Sequence, residues 1–242
     1  HVGEQTFFAF VHTRIFGVPV PVPLEVAANG RAIINVSGFR ITTTSLPAAP
    51  RGISYSQSRA AENGPPPFTW SVSAGDLPPG LSLSAAGEIS GIPTTRGDFS
   101  FTVSAIDGDS IVATKPLSIA VRDMEGTWTG TFNGTFRSFD GSIVRESPGQ
   151  IRLVLTQDGT ALSGTVFIEA FLAPATGTAS GTFTGTGISE FSMTATTQSG
   201  CTGTFTGTAT VDVVAGSMTA NYSGSDCNGT ITGAVAQLTR GN

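Results

Sequence analysis

Thr127-Trp128-Thr129-Gly130-Thr131-Phe132-Asn133-Gly134-Thr135-Phe136 puts its aromatic residues and glycines on one parity and threonine, with one asparagine, on the other. Side chains alternate between the two faces of a strand, so this period of two predicts a β-strand with one apolar face. The pattern returns at Ile151 to Gln157, Leu162 to Ala170, Ala179 to Thr186 and Phe191 to Thr196. It continues at Cys201 to Val213, Ser217 to Ser223 and Thr230 to Leu238. Eight such segments with short connections predict an eight-stranded antiparallel up-and-down barrel over residues 124–242. Glycines on the inward parity suit it, because a small barrel must coil strongly.

Working outward, the two cysteines of the chain, Cys201 and Cys227, flank one hairpin of this barrel. A turn at Ala215 and Gly216 brings them nearly opposite, which predicts a disulfide and an oxidising compartment. Setting Phe205 against Tyr222 and Ala209 against Met218 leaves the cysteines one place out of step. That register requires a bulge near Ser225.

Upstream, Gly64-Pro65-Pro66-Pro67-Phe68-Thr69-Trp70-Ser71-Val72 leads into Leu77-Pro78-Pro79-Gly80-Leu81-Ser82-Leu83. Gly87-Glu88-Ile89-Ser90-Gly91-Ile92-Pro93 and Gly97-Asp98-Phe99-Ser100-Phe101-Thr102-Val103 follow. Phe68, Trp70 and Val72 share a parity, which predicts a central core strand. Phe99, Phe101 and Val103 share another. The Pro-Pro-Gly run predicts a rigid crossing between strands, and Gly87 and Gly91 predict tight turns. These four blocks, in this order and spacing, resemble the "putative Ig" repeats of bacterial surface and secreted proteins, which are related to cadherin-like domains. The resemblance covers residues 39–123. It implies a seven-stranded immunoglobulin-like sandwich that serves as a spacer or adhesion module. The Gly126-Thr127-Trp128 opening of the barrel resembles that of lipocalins in shape only.

Residues 1–38 form a third region, an extended N-terminal β arm. Thr6-Phe7-Phe8-Ala9-Phe10-Val11 is apolar on both faces of any strand it makes. Val18-Pro19-Val20-Pro21-Val22-Pro23 reads as an edge strand or a polyproline-like arm, because proline lacks the N–H that a central strand needs. Leu24 to Val26 and Ala32 to Val36 flank Asn29-Gly30, a strong hairpin signal. His1 in place of Met predicts a processed terminus. Asn35, Asn133, Asn221 and Asn228 each begin an N-x-Ser/Thr pattern that frequent threonine explains.

Composition narrows the function. Charged residues make up 12% of the 242 residues and the net charge is −5. Lys115 is the one lysine, and the arginines are scattered, so no basic patch marks a nucleic-acid partner. No apolar run is long enough to span a bilayer as a helix. The two histidines, His1 and His12, lie in the arm. Neither folded domain can therefore build a Ser-His-Asp or Cys-His pair, and no enzymatic activity is expected. Asp107 and Asp109 form an Asp-x-Asp pattern that could begin a calcium site, although calcium needs six or more oxygen ligands. Asp123 and Glu125 flank the domain junction and could add ligands there, as in cadherin-like linkers.

Three functions fit these readings. The first is a subunit of an extracellular or cell-surface filament, joined to copies of itself by donation of an N-terminal strand carrying Phe7, Phe8, Phe10, Val11, Ile15 and Phe16. The second is an adhesin, carbohydrate-binding or spacer module that meets a surface glycan or a host protein. The third is a lipocalin-like carrier of a small apolar ligand.

Overall fold

In the computed structural model, residues 12–15, 18–21, 24–26, 32–34, 38–146, 149–169 and 174–241 are described. All regular structure in them is β, and among them no helix is long and apolar enough to cross a membrane.

The arm contains two small hairpins. Strand β1 (His12–Ile15) pairs with β2 (Val18–Pro21), and β3 (Leu24–Val26) pairs with β4 (Ala32–Ile34). Every strand of a two-stranded sheet is an edge, which accommodates Pro19 and Pro21. The Asn29-Gly30 turn and Phe7, Phe8, Phe10, Val11 and Phe16 lie outside the described residues. Ile15 sits at the end of β1, opposite Val18.

The sandwich begins with β5 (Arg40–Ile41) and β6 (Ala49–Pro50), followed by β7 (Tyr55–Ser58) and β8 (Ala61–Glu62). Then come β9 (Thr69–Gly75), β10 (Leu81–Leu83), β11 (Glu88–Gly91), β12 (Gly97–Ile106) and β13 (Val112–Arg122). One sheet has the order β10-β11-β7 and the other β6-β13-β12-β9, with β5 and β8 forming a short pair of their own. Between the sheets Trp70, Ile89, Phe101, Val103, Leu117, Ile119 and Val121 form a continuous core.

Trp70 is buried as its pattern predicts, but β9 is an edge strand and not a central one. Phe68 and Val72 are only half-buried, and Phe68 stacks on Phe39 with ring centroids 5.5 Å apart. The Pro-rich crossing is present between β9 and β10, with Pro78 fully buried and the Leu81 amide donating to the Pro78 carbonyl at 3.0 Å. Gly87 turns at φ +90°, and any side chain there would press on the Trp70 indole.

The barrel comprises β14 (Gly126–Ser138), β16 (Gly149–Asp158), β17 (Ala161–Glu169) and β18 (Ala175–Phe183). It continues through β19 (Gly187–Thr197), β20 (Thr202–Asp212), β21 (Ser217–Ser225) and β22 (Gly229–Arg240). Each strand pairs antiparallel with the next, and β22 returns to β14, so the eight-stranded sheet closes. A short extra strand, β15 (Ile143–Glu146), extends the far half of β14 beyond the rim. Burial alternates strictly along β16, as period two requires.

Glycine has a specific role at Gly177 in β18. A Cβ there would overlap the carbonyl oxygen of Thr194 in β19, so the strands can approach and coil only without a side chain. Gly177→Ala is therefore expected to cost about 1–3 kcal/mol through overpacking. Gly38 has open space and needs no unusual backbone, so Gly38→Ala is the neutral control. Urea denaturation of the two variants beside the parent checks both.

Candidate functional site

Four places gather the residues to which chemistry can be attached: the barrel interior, its disulfide-bonded rim, the acidic loop of the sandwich and the junction between domains.

The barrel interior is packed. Trp128 and Phe183 fill the end nearest the sandwich, both fully buried. Farther along, Tyr222 meets Phe132, Phe191 and Phe205 at centroid distances of 6.5, 6.4 and 6.2 Å. Burial pushes the Tyr222 phenol well above its ordinary value, so it stays neutral. Between these aromatic groups a cavity of about 40 Å³ remains, bordered by Leu153, Met193, Met218 and Tyr222. Cavities known to admit a benzene-sized molecule are on the order of 150 Å³. Both tryptophans and both tyrosines are buried, so none offers the exposed face on which a sugar ring stacks.

At the far rim Cys201 and Cys227 form the expected disulfide, with Cα atoms 5.6 Å apart. It ties the β19–β20 connection to the β21–β22 connection. The predicted register differs by one pair: Gly207 stands opposite Tyr222 and Val211 opposite Met218, without a bulge in this ladder. The four-residue connection Val213–Gly216 sets this register. Asp212 Oδ1 accepts hydrogen bonds from the Val214 and Ala215 amides at 2.9 and 2.8 Å, and Gly216 turns at φ +66°. The irregularity lies instead between β21 and β22, at Tyr222 and Gly224. Both cysteines fall just beyond the ends of the β20–β21 ladder, where they are free to meet.

In the acidic loop, Asp107 is buried and its Oδ1 accepts from the amides of Asp109 and Ile111 at 3.0 and 2.8 Å. This closes the turn between β12 and β13, while Asp109 is exposed. Among the described residues no cluster of three or more His, Cys, Asp or Glu side chains gathers here or elsewhere. Asp107 and Asp123 lie at opposite ends of β13, which at about 3.3 Å per residue keeps them far apart. Those two carboxylates cannot share an ion.

The junction is the richest polar site; the sequence singles out its carboxylates, Asp123 and Glu125, but not the side chains that meet them. Asp123, 1% exposed, is surrounded by three guanidinium groups. Arg240 Nη2 donates to its Oδ1 at 2.9 Å, Arg96 Nη1 lies 3.5 Å from the same oxygen, and Arg51 Nε lies 3.4 Å from Oδ2. Arg51 Nη2 also reaches Glu125 Oε1 at 2.6 Å, and Arg240 Nη1 donates to the Asp123 carbonyl at 2.9 Å. Arg240 lies over the Trp128 ring, 5.8 Å from its centroid.

Gln157, also buried, bonds to three segments at once. Its Nε2 donates to the Arg51 carbonyl (2.9 Å) in the sandwich and to the Gly159 carbonyl (2.8 Å) in the barrel. Its Oε1 accepts from the Met124 amide (2.9 Å) between them. Arg51 and Arg96 come from sandwich loops, and Gln157 and Arg240 from two barrel strands. Their convergence depends on the completed fold, so only an unusually buried Asp at a domain boundary could have signalled it.

A family model described as "Putative Ig domain" matches residues 27–122. No curated protein matches the chain. Among solved structures, one described as a "putative alpha-galactosidase" from Bacteroides fragilis is 25% identical over 39% of this chain, with a TM-score of 0.31. The match spans 21% of that chain's length. A de novo designed fluorescence-activating β-barrel is 18% identical over 49% of this chain and 94% of its own, with a TM-score of 0.31. Extracellular cadherin domains 1–4 of protocadherin gamma B7 are 12% identical over 79% of this chain and 49% of theirs, with a TM-score of 0.29. The Trp70, Leu77–Leu83 and Gly87–Pro93 blocks lie within the matched residues, so the sandwich of this chain is the part that is similar to the "Putative Ig domain" family.

Proposed function

We propose that this protein is an extracellular structural subunit that joins to copies of itself by adding its N-terminal segment to a neighbour's sandwich. Its coarser character, an immunoglobulin-like module with a disulfide, fits an extracellular protein.

The observation that carries the finer reading is an asymmetry of sheet edges. The barrel is closed, so the body of its sheet has no free edge. In the sandwich, among the described residues, the outer edge of β13 carries a ladder partner only at Val121 and Arg122, where β6 pairs in parallel. Among the described residues, Val112 to Ala120 has no ladder partner on that side. An extended segment laid along this edge gains main-chain hydrogen bonds, except at Pro116, whose nitrogen has no hydrogen to give. Phe7, Phe8, Phe10 and Val11 supply the apolar contribution, about 1.5–3 kcal/mol for each side chain fully buried.

The carrier reading draws no support from a cavity of about 40 Å³. A glycan-binding module would lack a tryptophan or tyrosine platform. A spacer or adhesion module without assembly is the remaining alternative. Its favouring observation is the apolar patch of Ile106, Ile111 and Val112, exposed at the end of the sandwich away from the barrel. Negative-stain electron microscopy of the full chain, beside a version lacking residues 1–16, separates the two. The assembly reading expects filaments from the first sample and none from the second. Dispersed single particles in both would leave the spacer reading.

A further inference from the structure

Each domain could have been a separate bead on a flexible link, and the junction argues otherwise. Val121, Asp123 and Met124 are at most 1% exposed, so the crossing from β13 to β14 is short and anchored in both domains. Met124 is buried in the barrel core, and its carbonyl accepts from the Trp128 indole at 3.0 Å. On the other side, the sandwich turn after β6 is bonded into its own domain by the Arg51 amide to the Arg122 carbonyl (2.7 Å) and the Gly52 amide to the Pro93 carbonyl (2.9 Å). The same turn reaches the barrel. Ile53 packs on the barrel core, Pro50 and Ile53 lie beside Gly185, and Gly52 sits so close to Gly159 that a side chain would overlap its carbonyl.

We infer that sandwich and barrel form a single rigid, cooperatively folding body, locked by guanidinium groups of the protein itself and not by a bound cation. Two carboxylates face three arginines, Arg51, Arg96 and Arg240, which leaves a formal surplus of one positive charge at the junction. A divalent cation entering there would meet a repelling field, with one Asp123 oxygen bonded to Arg240 and the other facing Arg51 Nε at 3.4 Å, so the site opposes calcium. The buried Asp123 charge is tolerable because it is paired, and the same pairing makes it specific. Removing Arg240 strips Asp123 of its shortest partner, and that partner belongs to the barrel. Removing the Arg51 side chain cuts its own contacts to Asp123, Glu125 and the Gln157 carbonyl, leaving Arg96 as the sandwich's one side-chain partner of Asp123 among the described residues. For a subunit that bears tension, such a coupling carries load from one domain to the other without depending on the ionic medium.

Pulsed electron spin resonance on the full chain tests this, with spin labels at Ser71→Cys in the sandwich and Thr208→Cys in the barrel, both exposed positions. The coupling predicts one narrow distance distribution, the same with excess calcium and with excess EDTA. Calorimetry of the unlabelled protein is expected to give one transition. The R51M/R240M pair is expected to broaden the distance distribution and split the transition in two. R152M, on the exposed face of β16 over Phe167 and outside the junction, is expected to leave both readouts nearly unchanged. A broad distribution in the parent protein, or one that narrows when calcium is added, would overturn the inference. If R51M/R240M fails to fold, the parent's distribution with and without EDTA decides alone.

Discussion

Trp128→Ala is expected to lower the stability of the whole protein by about 3–5 kcal/mol, the range for removing a fully buried large aromatic side chain. Trp128 is 0% exposed at the end of the barrel that meets the sandwich. Three losses coincide. The indole volume leaves a cavity beside Phe183, the Met124 carbonyl loses a donor at 3.0 Å, and the Arg240 guanidinium loses the ring beneath it. Trp128→Phe retains most of the volume and removes the N–H with one ring of the indole. Its cost is expected to be about 1–3 kcal/mol, the range for stranding a buried acceptor. Urea denaturation reads both as a lowered midpoint at constant slope. Equal effects from the two substitutions would show that volume matters little here and that the hydrogen bond to Met124 is the main term.

The second large effect is expected from the far rim. Cys201 and Cys227 are separated by 26 residues, and opening that loop restores chain entropy to the unfolded state worth about 3–4 kcal/mol. For a chain of this size each kcal/mol moves the melting temperature by roughly 2–4 °C, so a shift of roughly 10 °C is expected. The C201S/C227S variant and the reduced parent should agree, because both lose the same closure. The turns themselves should survive. Asp226 Oδ1 still accepts from the Asn228 and Gly229 amides at 2.8 and 3.0 Å without the disulfide. A negligible shift would mean that these turns already hold the rim closed in the unfolded ensemble.

What could be read from the chain follows from the range of each physical cause. Alternation along Thr127–Phe136 and its later copies acts residue by residue, and it led directly to a closed antiparallel barrel. The Pro-Pro-Gly crossing, Gly87 and the Cys201–Cys227 pair were similarly local, since each depends on a turn and its immediate neighbours. The β20–β21 register went astray by one pair because a turn that is capped by Asp212 takes two more residues than alternation suggests. Trp70 was correctly buried but its strand was placed centrally, because inward parity does not reveal whether a strand has one neighbour or two. Arg51, Arg96, Gln157 and Arg240 were illegible as a group. Three arginines converge on Asp123, and Gln157 on the neighbouring Met124 amide, only after both domains have formed, and nothing near any of these four in the chain marks that meeting.

The most direct test of assembly by strand addition asks whose edge receives the N-terminal segment. Two variants are mixed, one with Ala9→Cys and the other with Ser118→Cys, the latter exposed on β13 in the stretch that has no outer ladder partner among the described residues. After mild oxidation, mass spectrometry maps the new disulfide while the native Cys201–Cys227 pair stays closed. The account predicts a covalent dimer linking residue 9 of one chain to residue 118 of the other. If that link forms only within single chains that carry both substitutions, or does not form at all, donation between copies along β13 is contradicted.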